Sequence, residues 1–135
     1  MSHIFVAEDD PDIRTSIGEI LREEGYDVGE YATLEDMLLV LHQGVRPCLV
    51  LVDLVMPGMS GQEFLETVRA DASFRDIPVV MMTGAKITMA DIEVLRKPFE
   101  LDDLVTAVSR HCAHAEADSP RSRAKRGDKP RLPPT

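Results

Sequence analysis

The chain has 135 residues, 44% of them hydrophobic and 29% charged, and a formal net charge of −9. That length fits a single ordinary core, and the composition is globular rather than fibrous or membrane-spanning. No apolar run approaches the roughly 18 residues that suggest a membrane span, and MSHIFVAEDD lacks the basic and long apolar stretches of a signal peptide, so a cytoplasmic protein is expected.

The charge is unevenly placed. Residues 119–135 hold six Lys or Arg against Asp128 alone, which leaves the first 118 residues at −14. So acidic a body argues against direct nucleic-acid binding and favours cations or basic protein surfaces as partners.

In chain order, Ile4 to Ala7 is an apolar run of strand length ending in Glu8, Asp9 and Asp10, and Pro11 suits the first turn of a helix. Ile13, Ile17, Ile20 and Leu21 recur at helical spacing, and Gly25 is a stop. A second strand is predicted over Asp27 to Tyr31. Thr33 caps a second helix, with Asp36 three residues on and Met37, Leu38 and Leu41 as its apolar face.

Cys48 to Val52 is continuously apolar, as in a central strand covered on both faces, and runs directly into Asp53. After the Pro57–Gly58 turn, Phe64, Leu65 and Val68 mark a third helix. Strands follow at Val79 to Thr83 and at Ile92 to Leu95, and a final helix carries Leu101, Leu104, Val105 and Val108. Strands alternating with helices indicate a parallel sheet covered on both faces, with ligands at the carboxyl ends of its strands.

The two cysteines, Cys48 and Cys112, lack metal-ligand spacing and sit among apolar residues, so they read as buried thiols rather than a bridge. Residues 118–135, rich in Pro and basic side chains, cannot bury a core and read as a disordered tail on a domain spanning 1–117. His3, His42, His111 and His114 read as surface residues rather than ligands.

The residues at the strand ends carry the chemistry: Glu8, Asp9 and Asp10 after the first strand, Asp53 after the third, Thr83 after the fourth and Lys97 after the fifth. Taken singly, each has a plain reading as a helix-end acid, a turn residue, a solvated hydroxyl or a surface cation. Together on one rim they form an acidic pocket that repels itself unless a cation intervenes, and hard oxygen ligands suit Mg²⁺.

The stretches VAEDDPDIR, LVLVDLVMPGMSG, VVMMTG and RKPF, in that order over Ile4 to Cys112, resemble the signatures of bacterial two-component response-regulator receiver domains. The resemblance implies a flavodoxin-like, doubly wound α/β fold with five parallel strands in the order 2-1-3-4-5, a strand order already familiar from a chemotaxis receiver. It implies that Asp53 accepts a phosphoryl group from a histidine kinase, a phosphotransfer protein or a small donor such as acetyl phosphate. It makes Asp9 a direct Mg²⁺ ligand, Glu8 a ligand through water and the Val55 carbonyl a further ligand, with Asp53 on the metal and Thr83 and Lys97 on the phosphoryl oxygens. Asp10 matches no ligand position and remains a helix-end acid.

Two departures stand out. Only residues 84–91 separate the fourth and fifth strands, too few for a complete crossover helix, although one turn fits near Thr88 to Asp91. The family's aromatic residue three before the lysine is Val94 here, which has no ring to rotate. The shortened connection is expected to expose one apolar face of the fourth and fifth strands, either Val79 and Met81 or Val80 and Met82, near Met89, as a surface for a downstream protein or a homodimer. Two other functions compete: a docking module indifferent to phosphorylation, and a phosphatase with a carboxylate nucleophile. Val55, where such phosphatases carry a second acid, argues against the latter.

Overall fold

The computed structural model describes residues 3–86, 89 and 91–112. Along the chain run β1 (His3–Ala7), α1 (Pro11–Glu23), β2 (Asp27–Tyr31), α2 (Leu34–His42), β3 (Leu49–Asp53), α3 (Gly61–Ala70), β4 (Val79–Thr83), β5 (Glu93–Arg96) and α4 (Leu101–His111). The five strands form one parallel sheet in the order β2-β1-β3-β4-β5. This is the doubly wound order expected from the sequence, and β3 lies at its centre.

Alternation along each strand divides the core into two layers. On one face Ile4, Val6, Leu49, Leu51, Val80, Met82 and Leu95 pack with Ile17 and Leu21 of α1 and with Leu104, Ala107 and Val108 of α4. On the other, Phe5, Ala7, Val50, Val52 and Met81 meet the apolar stripes of α2 and α3. All five residues of β3 are buried, which accounts for the unbroken apolar run from Leu49 to Val52 that leads into Asp53.

The helix starts follow local chemistry. Asp10 caps α1, its carboxylate accepting the amides of Asp12 and Ile13, so the helix-end role expected for it is what the structure shows. Thr33 caps α2 by accepting the amide of Asp36. Ser60 and Glu63 form a reciprocal capping box on α3.

Among the described residues no helix joins β4 to β5. Met89 and Ile92 form an isolated antiparallel bridge, Asp91 turns the chain at φ 61°, and Arg69 of α3 donates to the Asp91 carbonyl at 3.0 Å. Residues 87, 88 and 90, two of which fall within the expected turn from Thr88 to Asp91, lie outside the described residues. Val79 and Met81 face the side of α2 and α3, and the broad exposed apolar patch expected there does not appear among the described residues. Met81 is fully buried, while Val79, Met89, Ile92 and Val94 are half-buried against the core.

The cysteines require a correction. Cys48 and Cys112 are joined in a disulfide, with Cα atoms 5.3 Å apart across a sequence separation of 64. Spacing along the chain carries no sign of this. The sheet order and the docking of α4 bring the residue before β3 beside the residue after α4, a proximity that exists only in three dimensions. The tail expected over 118–135 lies outside the described residues, as does His114. His111 is exposed, with Nε2 3.3 Å from Glu93.

Candidate functional site

Parallel strands deliver their carboxyl ends to one rim, and Glu8, Asp53 and Thr83 are buried there although each is polar. Carboxylate oxygens of Glu8, Asp9 and Asp53 lie within 4.8 Å of one another. Lys97 reaches over from the end of β5, its Nζ 2.6 Å from Glu8 Oε1 and 2.9 Å from Asp53 Oδ2. The structure therefore assembles the predicted acids, acceptor and lysine in one place.

Each group is held by its neighbours. The Glu8 amide donates to the Tyr31 carbonyl at 3.1 Å, continuing the β1–β2 ladder one residue past the strand. Its second carboxylate oxygen accepts the Asp10 amide at 3.2 Å. Asp53 Oδ1 accepts the Val55 amide at 3.2 Å, so an Asx-type turn fixes the Asp53 carboxylate against its own loop. Thr83 Oγ1 accepts the Ala85 amide at 3.1 Å, leaving the hydroxyl proton free to donate elsewhere. The Lys97 amide donates to the Thr83 carbonyl at 2.7 Å, tying the ends of β4 and β5 together. Val55 itself is 74% exposed beside the acceptor. Val94 is half-buried on β5 and adds no ring to the rim.

Burial pushes the Glu8 carboxyl above its usual range, against the opposing pull of Lys97 and the Asp10 amide. Burial alone would lower Lys97, but its hydrogen bonds to Glu8 and Asp53 win and raise it, so the ammonium stays charged at any ordinary pH. Three carboxylates thus face one ammonium, and among the described residues Asp9 has no ion-pair partner. A small hard divalent cation fits that donor set in both charge and ligand type.

Two features of the site gave no signal in the sequence. Arg14, one turn into α1, donates to the Glu8 carbonyl at 2.7 Å and anchors the peptide that carries Asp9. Glu35 of α2 accepts the Met59 amide at 3.0 Å, holding the loop after the acceptor where Gly58 turns at φ 74°. A charged residue on a helix reads as solvated unless the facing loop is known. Gly61, which the sequence places in the turn after Asp53, is needed for close approach: a side chain there would come within 2.8 Å of the Asp53 carbonyl, the Leu54 Cα and the Met81 sulfur, so only glycine lets α3 start this close to Asp53.

Next to Lys97, between α1 and the start of α4, a cleft of about 610 Å³ is walled by Ile13, Ile17, Ile20, Phe99, Leu101 and Leu104. Ile13 is 37% and Leu101 51% exposed.

Fold and rim together define a doubly wound parallel-sheet domain with one acidic site at its carboxyl edge. The family model for the response regulator receiver domain matches residues 4–109, and the chain belongs to that family. It is 32% identical over 134 residues to the DNA-binding response regulator MtrA of Mycolicibacterium smegmatis, covering 93% of this chain and 56% of that one. It is 32% identical over 127 residues to the response regulator Rre1 of Synechocystis, covering 86% and 54% respectively. The chain thus spans about half the length of these relatives. Among solved structures, the chemotaxis protein CheY4 of Vibrio cholerae superimposes with a TM-score of 0.71 at 26% identity, over 82% of this chain and 98% of that one. The receiver domain of the hybrid histidine kinase CckA gives 0.72 at 26% identity, with the same coverage.

Proposed function

We propose that this receiver domain accepts a phosphoryl group on Asp53 from a histidine kinase or phosphotransfer protein in the cytoplasm, and passes on its state by protein contact. The observation that carries this reading is the convergence of Glu8, Asp9, Asp53 and Lys97 at one rim, with buried Thr83 on the same rim.

A carboxylate oxygen of Asp53 attacks phosphorus in line. The new O–P bond forms as the P–N bond of a phosphohistidine donor breaks, and the electron pair leaves on the imidazole nitrogen. The protein's task is alignment and charge balance. Lys97, charged and already 2.9 Å from Asp53, neutralises the phosphoryl oxygens, and the free Thr83 hydroxyl proton donates to one of them. Mg²⁺, held by Asp9, Asp53 and the Val55 carbonyl with Glu8 acting through water, would supply the remaining positive charge. Val55, exposed and apolar, cannot act as the second acid of a carboxylate phosphatase, so transfer rather than turnover is the expected outcome. Downstream contact falls to the rebuilt β4–β5 side, toward another protein or a second copy of the chain.

Acetyl phosphate and Mg²⁺ should add one phosphoryl group by intact mass, with none added to Asp53→Asn or in the presence of a chelator. Undiminished labelling of Asp53→Asn would overturn the assignment. If partner capture proves identical with and without the phosphoryl group, the docking-module alternative is the correct one.

A further inference from the structure

The disulfide takes no part in the site just described, yet it frames it. Cys48 lies one residue before β3, whose last residue is Asp53, and Cys112 caps the C-terminus of α4, whose N-terminus follows Lys97 by four residues. The bridge closes a ring of chain that contains Asp53, Thr83 and Lys97. It fastens the last helix to the central strand at the end of the sheet opposite the acidic rim. That segment has reason to need fastening: among the described residues, β5 has four residues, pairs only with β4, and has no crossover helix beside it.

The two sulfurs differ in access. Cys112 is 1% exposed within the layer that α1 and α4 share, whereas Cys48 is only half-buried, next to the carbonyl of His3. We propose that Cys48 and Cys112 form a reversible dithiol–disulfide couple, exchanged from the Cys48 side, whose closed form braces α4 and the Lys97 segment against β3.

Closure consumes a low-molecular-weight disulfide. The Cys48 thiolate attacks one of its sulfurs and expels a thiolate. The Cys112 thiolate then attacks the Cys48 sulfur of the mixed disulfide and expels the second. Two protein thiols are oxidised, one reagent disulfide is reduced to two thiols, and the two protons pass to the departing thiolates. Opening reverses these steps and must expel Cys112 as a thiolate into apolar surroundings, where it is a poor leaving group, so opening is slow while the domain stays folded.

The test uses the full chain, reduced and then treated with oxidised glutathione. Intact mass should fall by two hydrogens and alkylation should cease. Cys112→Ser should retain one glutathione adduct, and Cys48→Ser should take none. The closed form should unfold at a temperature higher by roughly 10 °C, with backbone hydrogen exchange over residues 93–112 slowed about tenfold. The double variant Cys48→Ala, Cys112→Ala should show neither response to the reagent, which guards against effects of glutathione on the rest of the protein. Thiols that remain alkylatable, an adduct on Cys48→Ser, or closure that leaves exchange over 93–112 unchanged would each overturn the proposal.

Discussion

At the scale of single residues, Glu8 sets function against stability. Its buried carboxyl has a raised folded value, so the stability it contributes is complete below its ordinary value of 4.5 and is lost as pH rises through the raised one. Without divalent cation, Glu8→Gln should therefore be more stable than the parent at neutral pH, where the parent's buried carboxyl must ionise, while its Mg²⁺ affinity falls. Urea unfolding from pH 4 to pH 8 checks this; a variant weaker than the parent at pH 7 would contradict it. Arg14 works through geometry instead. Arg14→Ala frees the Glu8 carbonyl and should weaken Mg²⁺ binding roughly tenfold, with partial recovery in Arg14→Lys, which keeps a donor of similar reach. Unchanged affinity in a Mg²⁺ titration would reduce Arg14 to a surface charge.

At the scale of elements, the turn from β1 into α1 gives adjacent acids different work. Asp10 closes the helix start with two backbone hydrogen bonds, while Asp9 is left facing the site. Asp10→Ala should cost about 1 kcal/mol of stability and spare Mg²⁺ affinity, and Asp9→Asn should do the reverse. Paired denaturation and Mg²⁺ titrations separate them, and a greater loss of affinity in the Asp10 variant would mean that the ligand register is displaced by one residue. The strap between β4 and β5 shows the same economy of local structure. Arg69, the Asp91 turn and the Met89–Ile92 bridge hold a short connection over strands that a helix would otherwise cover.

At the scale of the whole molecule, the apolar cleft between α1 and α4 opens beside Lys97, where the function proposed above would seat a protein that presents a phosphohistidine to Asp53. Leu101→Glu should slow phosphotransfer from a protein donor at least tenfold and leave labelling by acetyl phosphate within about twofold, since a small donor needs no docking surface. Equal slowing with both donors would place the defect in the site itself. The charge asymmetry belongs to this scale too. The first 118 residues, at −14, suit a basic partner surface whose association weakens with salt.

Whatever depends on near neighbours is legible along the chain. The apolar run before Asp53, the caps at Asp10 and Thr33, the helical stripes and the four strand-end motifs are local patterns, and the parallel alternation that follows from them already places Glu8, Asp9, Asp53, Thr83 and Lys97 on one rim. The other contacts arise only when the elements pack together. The approach of Cys48 to Cys112, the reach of Arg14 to the Glu8 carbonyl, the clamp of Glu35 on the loop after the acceptor and the burial of Met81 beneath α3 join residues whose separation along the chain says nothing of their distance in space. A contact between elements is set by how the packed layers settle against each other, and that outcome is a sum over the whole core that no single stretch of sequence records.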